Sequence, residues 1–195
     1  DLYHANGRVF GLISMGERFV ASQPSHPQQT NVMLKLIDGL LVTSRNKETV
    51  SQCRQFLNRN PEDPAASQVE VTLARVLDQM NDLPRSAEAH AAIWTRQGDT
   101  LQGRGSLSRA INLYSQMNNK DGITKASELC ESAVDRLTAS PAVAEFGSRA
   151  VYERRRNSEW VKSNLVANKM LQKKVPLTPN AQRDLYLAMA ENYAN

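Results

Sequence analysis

The sequence predicts an all-α array of antiparallel helix pairs, an α-solenoid of about nine or ten helices. Three observations predict it. First, a set of positions spaced 4, 3 and 5 apart keeps returning: Leu12, Gly16, Phe19 and Pro24, then Thr49, Cys53, Phe56 and Pro61 37 residues later. Ala126, Cys130, Ala133 and Thr138, with Pro141 following, and Ser163, Ala167, Met170 and Val175, with Pro176 next, repeat the spacing. Second, the apolar residues between these marks fall three and four apart and do not alternate, which is helical and not strand periodicity. Third, the apolar runs are separated by short Pro-, Gly- and Asn-containing turns that join one helix to the next.

Each element follows from these signals. Asp1 to Asn6 reads as the end of a helix stopped by Gly7. Arg8 to Ser22 reads as an amphipathic helix with Val9, Leu12, Ile13, Gly16, Phe19 and Val20 inward. Pro24–Pro27 turns the chain. Gln28 to Thr43 carries Val32, Met33, Leu36, Ile37, Leu40 and Leu41 at helical spacing; Ser44 to Asn46 breaks it. Glu48 to Arg59, with Val50, Cys53, Phe56 and Leu57, ends at Asn60-Pro61. Pro64 is placed to open the next helix, because proline is favoured in a first turn, and Asn81-Asp82 turns the chain again.

A helix opened by Pro84 runs through Ala87, Ala91 and Trp94. Gly98, Gly103 and Gly105 predict an irregular junction within 97–105, with the helix resuming over Ser106 to Met117. Asn118 to Gly122 turns and Ile123 to Leu137 returns. Ser140-Pro141 is a cap followed by proline at a helix start. Ala142 to Arg156 and Ser158 to Lys174 form a further pair; Pro176 to Pro179 turns, and a last helix starts at Asn180.

These second-helix patterns resemble the tetratricopeptide repeat (TPR), a family with a small residue, a large one, Ala and then Pro on its second helix. Tyr186, Met189, Ala190 and Tyr193 sit at the spacing of the family's first-helix bulky, Leu, small and Tyr positions. Asp82-Leu83 followed by Ala87 and Ala91 is similar to its turn and second helix, as is Gly7 with Val9, Leu12, Phe19 and Pro24. Tyr114 departs from the pattern, standing where the family has Gly or Ala. The resemblance implies one right-handed TPR-like superhelix over 1–195, cut within a repeat at both ends as an internal segment of a longer array. It also implies a non-catalytic scaffold that binds a protein or peptide in a groove lined by first helices. On that reading the groove positions near the basic stretch are Ser148, Tyr152, Arg155 and Arg156, suited to a partner of acidic character.

Composition is that of a water-exposed helical protein, 41% hydrophobic and 23% charged, with no run of roughly 18–20 apolar residues that would span a membrane. The chain is expected to be soluble, in the cytoplasm or, for a bacterial source, the periplasm. Charge is uneven. Between 149 and 174 eight cations, Arg149, Arg154, Arg155, Arg156, Lys162, Lys169, Lys173 and Lys174, face two anions, Glu153 and Glu159, in a chain of net charge +4. The bland reading is a solvated helix face. The alternative function is an anionic-polymer binder, for nucleic acid or an acidic polysaccharide, as in the polysaccharide-export machines that resemble this architecture. Such binding is steeply salt-dependent, and the few interleaved aromatics argue against single-stranded nucleic acid.

No catalytic, cofactor or metal site is expected. His4, His26 and His90 are scattered without ligand spacing. Gly103-Arg104-Gly105 lacks the preceding strand and third glycine of a nucleotide loop. Cys53 and Cys130 share a repeat position and are expected to be free, buried thiols. Trp94 and Trp160 are expected to pack between repeats.

Overall fold

The computed structural model describes residues 2–194, with side chains from residue 8 onward. Among these residues there are ten helices and no strand: α1 (Leu2–Ser22), α2 (Gln29–Val42), α3 (Asn46–Arg59), α4 (Ala66–Gln79), α5 (Leu83–Gln97), α6 (Leu101–Gln116), α7 (Lys120–Arg136), α8 (Pro141–Arg156), α9 (Trp160–Gln172) and α10 (Pro179–Tyr193). The chain divides into two compact units, Asp1–Ala89 and His90–Asn195, with the boundary inside α5. In the first unit α1 to α4 pack successively on one another; in the second α6 to α10 do the same. Turns of a few residues between packed neighbours make each such pair antiparallel.

The recurring positions form the buried seam of the second helices. Thr49, Cys53 and Phe56 on α3 are fully buried, as are Ala126, Cys130 and Ala133 on α7 and Ser163, Ala167 and Met170 on α9. A further occurrence, not recognised in the sequence, lies on α5: Ser86, His90, Ile93 and Gly98 keep the same spacing, 37 residues after Thr49 and 40 before Ala126. Ser86 and Ile93 are buried. His90 stands where the other copies carry Gly, Cys or Ala, which hid the repeat.

The helix-to-helix turns repeat with the same steps. Ser44, Asn81, Asn118 and Ser158 all adopt left-handed backbone, with φ between 48° and 58°. After three of them the next amide reaches back five residues: Arg45 N donates to Leu40 O (2.9 Å), Asp82 N to Leu77 O (3.1 Å) and Glu159 N to Arg154 O (2.9 Å). This is the Schellman closure, which satisfies the last carbonyls of the first helix and sends the chain back along it.

Several boundaries differ from the sequence expectation. α1 runs through Gly7 without a stop. Leu12, expected on the inward stripe, is 45% exposed, because among the described residues no helix packs on that side of α1. Pro64 does not open α4; it lies in the turn before it, where Asp63 Oδ1 accepts from Ala65 N at 2.8 Å, an Asx turn. The junction expected over 97–105 shrinks to Gly98–Thr100, and α6 begins at Leu101. Thr100 caps it by accepting from Gly103 N at 2.9 Å. A Cβ at Gly103 would collide with the Gly98 carbonyl, so glycine is required inside the first helical turn. Gly122 repeats the arrangement in α7, under the Asn119 cap (2.7 Å) and against the Tyr114 carbonyl.

Ile13, Met33, Leu36, Leu40, Phe56 and Leu77 carry the core of the first unit. Each fully buried Leu contributes about 2–3 kcal/mol. In the second unit α8 approaches α9 so closely that a Cβ at Gly147 would fall 2.8 Å from Met170 Cγ. Asn192 of α10 donates to Ser163 Oγ (3.1 Å) and Asn164 Oδ1 (2.7 Å), tying α10 to α9. Trp94 is buried as expected, its Nε1 donating to Ser132 Oγ at 3.3 Å with the Arg136 guanidinium 4.6 Å from the ring centre. Trp160 is half-buried. Both cysteines are free and buried, and burial pushes each thiol up to about 12.

Candidate functional site

The first helices of the second unit, α6, α8 and α10, line two adjoining cavities. One, of about 340 Å³, is lined by Ser108, Ile111 and Asn112 of α6 and Glu145, Phe146, Ser148, Arg149 and Tyr152 of α8. The other, of about 300 Å³, is lined by Ser148, Val151, Tyr152 and Arg155 of α8 and Ala181, Asp184, Leu185 and Ala188 of α10. Ser148 and Tyr152 belong to both. Ile111 and Phe146 are buried beneath the first; Val151, Leu185 and Ala188 are buried beneath the second. Tyr152 stands between them, 58% exposed.

Of the four residues expected to bind a partner, the structure brings Ser148, Tyr152 and Arg155 together. Arg156 lines neither cavity. Its Nη1 donates to Glu153 Oε2 and its Nη2 to Asn118 Oδ1, each at 2.7 Å, and its guanidinium lies 5.8 Å from the Tyr152 ring centre. Arg155 is held by Glu191 of α10. Its Nε is buried and has no acceptor.

Sequence reasoning missed the group beneath this surface. Glu153 is fully buried although it sits in a charged run. Arg149 Nε (2.9 Å) and Ser115 Oγ (2.9 Å) donate to its Oε1, and Arg156 binds its other oxygen. Arg149 Nη2 also donates to Ser115 Oγ at 3.0 Å. A buried carboxylate is tolerated only when its lone pairs are filled this way. The signal in the sequence was helical spacing: Glu153 lies three residues after the apolar Ala150 and four after Arg149.

Most of the rest of the basic stretch is also engaged. Arg154, buried, donates from Nε to Glu131 Oε1 and from Nη1 to Glu159 Oε2, each at 2.6 Å. Burial opposes its charge, but the hydrogen bonds to Glu131 and Glu159 outweigh it and hold the guanidinium above its ordinary value. Burial likewise raises the Glu159 carboxyl, yet the bonds from Lys162 and Arg154 prevail and leave it below the ordinary range. Lys169 pairs with Asp135. Lys173 places its ammonium on the carbonyls of Val134, Asp135 and Leu137, where a cation complements the C-terminal end of α7. Three carboxylates from outside the stretch, Glu131, Asp135 and Glu191, thus meet its cations.

The first unit offers a different surface. Leu12, Met15, Phe19, Val32 and Leu36 line an apolar groove of about 470 Å³ between α1 and α2. The His26 ring meets Phe19 edge-on, 5.0 Å between centres; His90 is half-buried on α5. His4 lies outside the described side chains. The stripe Tyr186, Met189, Ala190 and Tyr193, which carried the family resemblance on α10, is mostly exposed; the buried stripe of that helix is Leu185, Ala188 and Asn192. No helix among the described residues is long and apolar enough to cross a membrane.

No protein-family model matches the sequence, and no curated protein sequence matches it. Among solved structures the chain is similar to a Podosopora anserina kinesin light chain of nearly identical TPR-like repeats, at 17% identity over 88% of this chain and 90% of that one, with a TM-score of 0.43. It is also similar to BtubC (BKLC) from P. vanneervenii, at 12% identity over 100% of this chain and 84% of that one, with a TM-score of 0.42. Both likenesses concern the fold alone.

Proposed function

We propose that this chain is a non-catalytic scaffold that holds a segment of a partner protein along the face of α6, α8 and α10, with Tyr152 at its centre. The observation that supports this reading is the exposure of Tyr152 between two cavities with apolar floors. A tyrosine offers a large, rigid, amphipathic contact at low entropic cost, and such residues dominate binding at interfaces. Ser148 and Arg155 complete the contact surface. Arg156 supports it from beneath by fixing Glu153 and lying against the Tyr152 ring.

The partner need not be acidic. Arg155 and Arg156 are held by Glu191 and Glu153, so an acidic segment gains a guanidinium only by displacing a carboxylate already bound. The same pairing weakens the anionic-polymer alternative, which draws on a positive surface that the fold largely neutralises.

A photo-crosslinking residue placed at Ser148 tests the reading against the same residue at Lys169 on α9. A defined protein adduct from position 148, lost on Tyr152→Ala and absent from position 169, is the expected result. Equal adducts from both positions would overturn it.

A further inference from the structure

Second helices of this chain lie between two first helices: α3 between α2 and α4, α7 between α6 and α8, and α9 between α8 and α10. α1 is a second helix by its repeat positions, Leu12, Gly16 and Phe19, yet among the described residues it carries only α2. The equivalent positions on α3 and α7 are fully buried, whereas Leu12 and its neighbour Met15 are exposed and line, with Phe19, Val32 and Leu36, the groove of about 470 Å³. α10 has the opposite need. It is a first helix, opened by Thr178-Pro179 as α8 is by Ser140-Pro141. α8 packs on second helices on both sides, α7 and α9; α10 packs only on α9. Its Tyr186, Leu187 and Tyr193 are more than half exposed.

We infer that a second copy of this chain covers both faces: α10 of one copy seats in the α1–α2 groove of the next, antiparallel to α1, as a first helix on a second. The chain's own repeats define this interface, because each neighbouring helix pair within a unit is a first helix packed antiparallel on a second. A stacked array stays separate from its like only where its outer faces are polar, and these two are apolar. The contact is heterologous, since the two faces differ, so it adds copies in line. It uses a side of α10 other than Ala181, Asp184, Leu185 and Ala188, which line the second cavity of the proposed binding face.

Shape and charge agree with that seat. A Cβ at Gly11 would meet nothing within 4 Å, so the groove is open beside Leu12 and Met15. Tyr186 and Tyr193, seven residues apart, share a side of α10 about 10 Å apart, and each has a large apolar ring to bury. Arg8 and Lys35 line the groove, and with Asp38 they line its continuation toward Val42, which makes that end net positive. The antiparallel direction brings the C-terminal end of α10, negative from its last carbonyls, to Arg8; the parallel direction would bring Arg183 there. Ala190 then comes beside Gly11, and Tyr186 beside Met15.

The test is sedimentation velocity of the whole chain over a range of concentrations, with Met15→Glu on one face and Tyr186→Glu on the other. Both sites are exposed, so the variants keep the fold, which circular dichroism verifies. The wild type should give species larger than a dimer as concentration rises. Each variant alone should weaken association at least about tenfold. An equimolar mixture of the two should form a heterodimer and nothing larger, through the one intact face of each. A wild type that stays monomeric up to its solubility limit overturns the inference. So does a dimer that only one variant dissolves, which marks a symmetric contact, or a mixture of variants that stays monomeric. Direction is read by oxidation, since Cys53 and Cys130 are buried. Gly11→Cys mixed with Ala190→Cys should crosslink and Gly11→Cys with Gln182→Cys should not; the reverse would overturn the antiparallel seat.

Discussion

Glu153 shows how the burial of single residues departs from the pattern of charge along the chain. In the run Glu153-Arg154-Arg155-Arg156 the first two residues are buried and the last two are not. Helical geometry turns 153 and 154 inward, and their partners come from far away in sequence: Ser115 for Glu153 and Glu131 for Arg154. One-dimensional spacing reveals that the run is helical but not which carboxylate waits across the interface, so the stretch reads as a solvated face or an anion-binding surface. Glu153→Ala leaves Arg149 and Arg156 without their carboxylate. Both are partly exposed, which moderates the cost, and the variant should lose about 2–3 kcal/mol in urea unfolding. Glu159 supplies a pH-dependent test. Its folded carboxyl titrates below the ordinary 4.5, so its contribution is complete above that value and is lost as pH falls through the lowered one. The stability difference between the wild type and Glu159→Gln should be evident at neutral pH and shrink on acidification below 4.5.

At the scale of the helix and its turn, the sequence is most legible where apolar spacing and capping agree. α8 begins where Ser140-Pro141 predicts, with Ser140 Oγ accepting from Val143 N at 3.4 Å. It is least legible where a glycine serves a close approach inside a helix. Gly103 and Gly105 read as loop because glycine normally breaks helices; at 103 the neighbouring Gly98 carbonyl occupies the space of a Cβ. Ser44, Asn81 and Asn118 were legible as breaks, whereas Ser158 read as the first residue of a helix; none was legible as a left-handed conformation, and Ser44 and Ser158 are not residues that favour positive φ. That mismatch can be relieved. Ser158→Gly should raise stability by about 0.5–1 kcal/mol, the left-handed penalty minus the added freedom of glycine in the unfolded chain. An unchanged or lowered urea midpoint would show that the turn is not held at the φ of 58° described here.

Over the whole molecule, the repeat explains where the candidate site lies. Five sets of second-helix positions, beginning at 12, 49, 86, 126 and 163, alternate with first helices, and in the second unit the first helices alone line the two cavities. The resemblance assigns Ser148, Tyr152, Arg155 and Arg156 to a groove; Ser148, Tyr152 and Arg155 line the cavities, because helical phase sets them on one face of α8. It did not foresee that Arg156 turns toward Asn118, nor that Arg155 is held by α10, because both contacts cross between elements. Exposed apolar residues also occur on α9, at Val161 and Leu165, so exposure alone does not mark the site; the paired cavities do. The most direct measurement is therefore calorimetric affinity for the partner identified by crosslinking at Ser148, comparing Tyr152→Ala with Leu165→Ala. The account predicts about a tenfold or greater loss for Tyr152→Ala and none for Leu165→Ala. Loss with Leu165→Ala and none with Tyr152→Ala would contradict it.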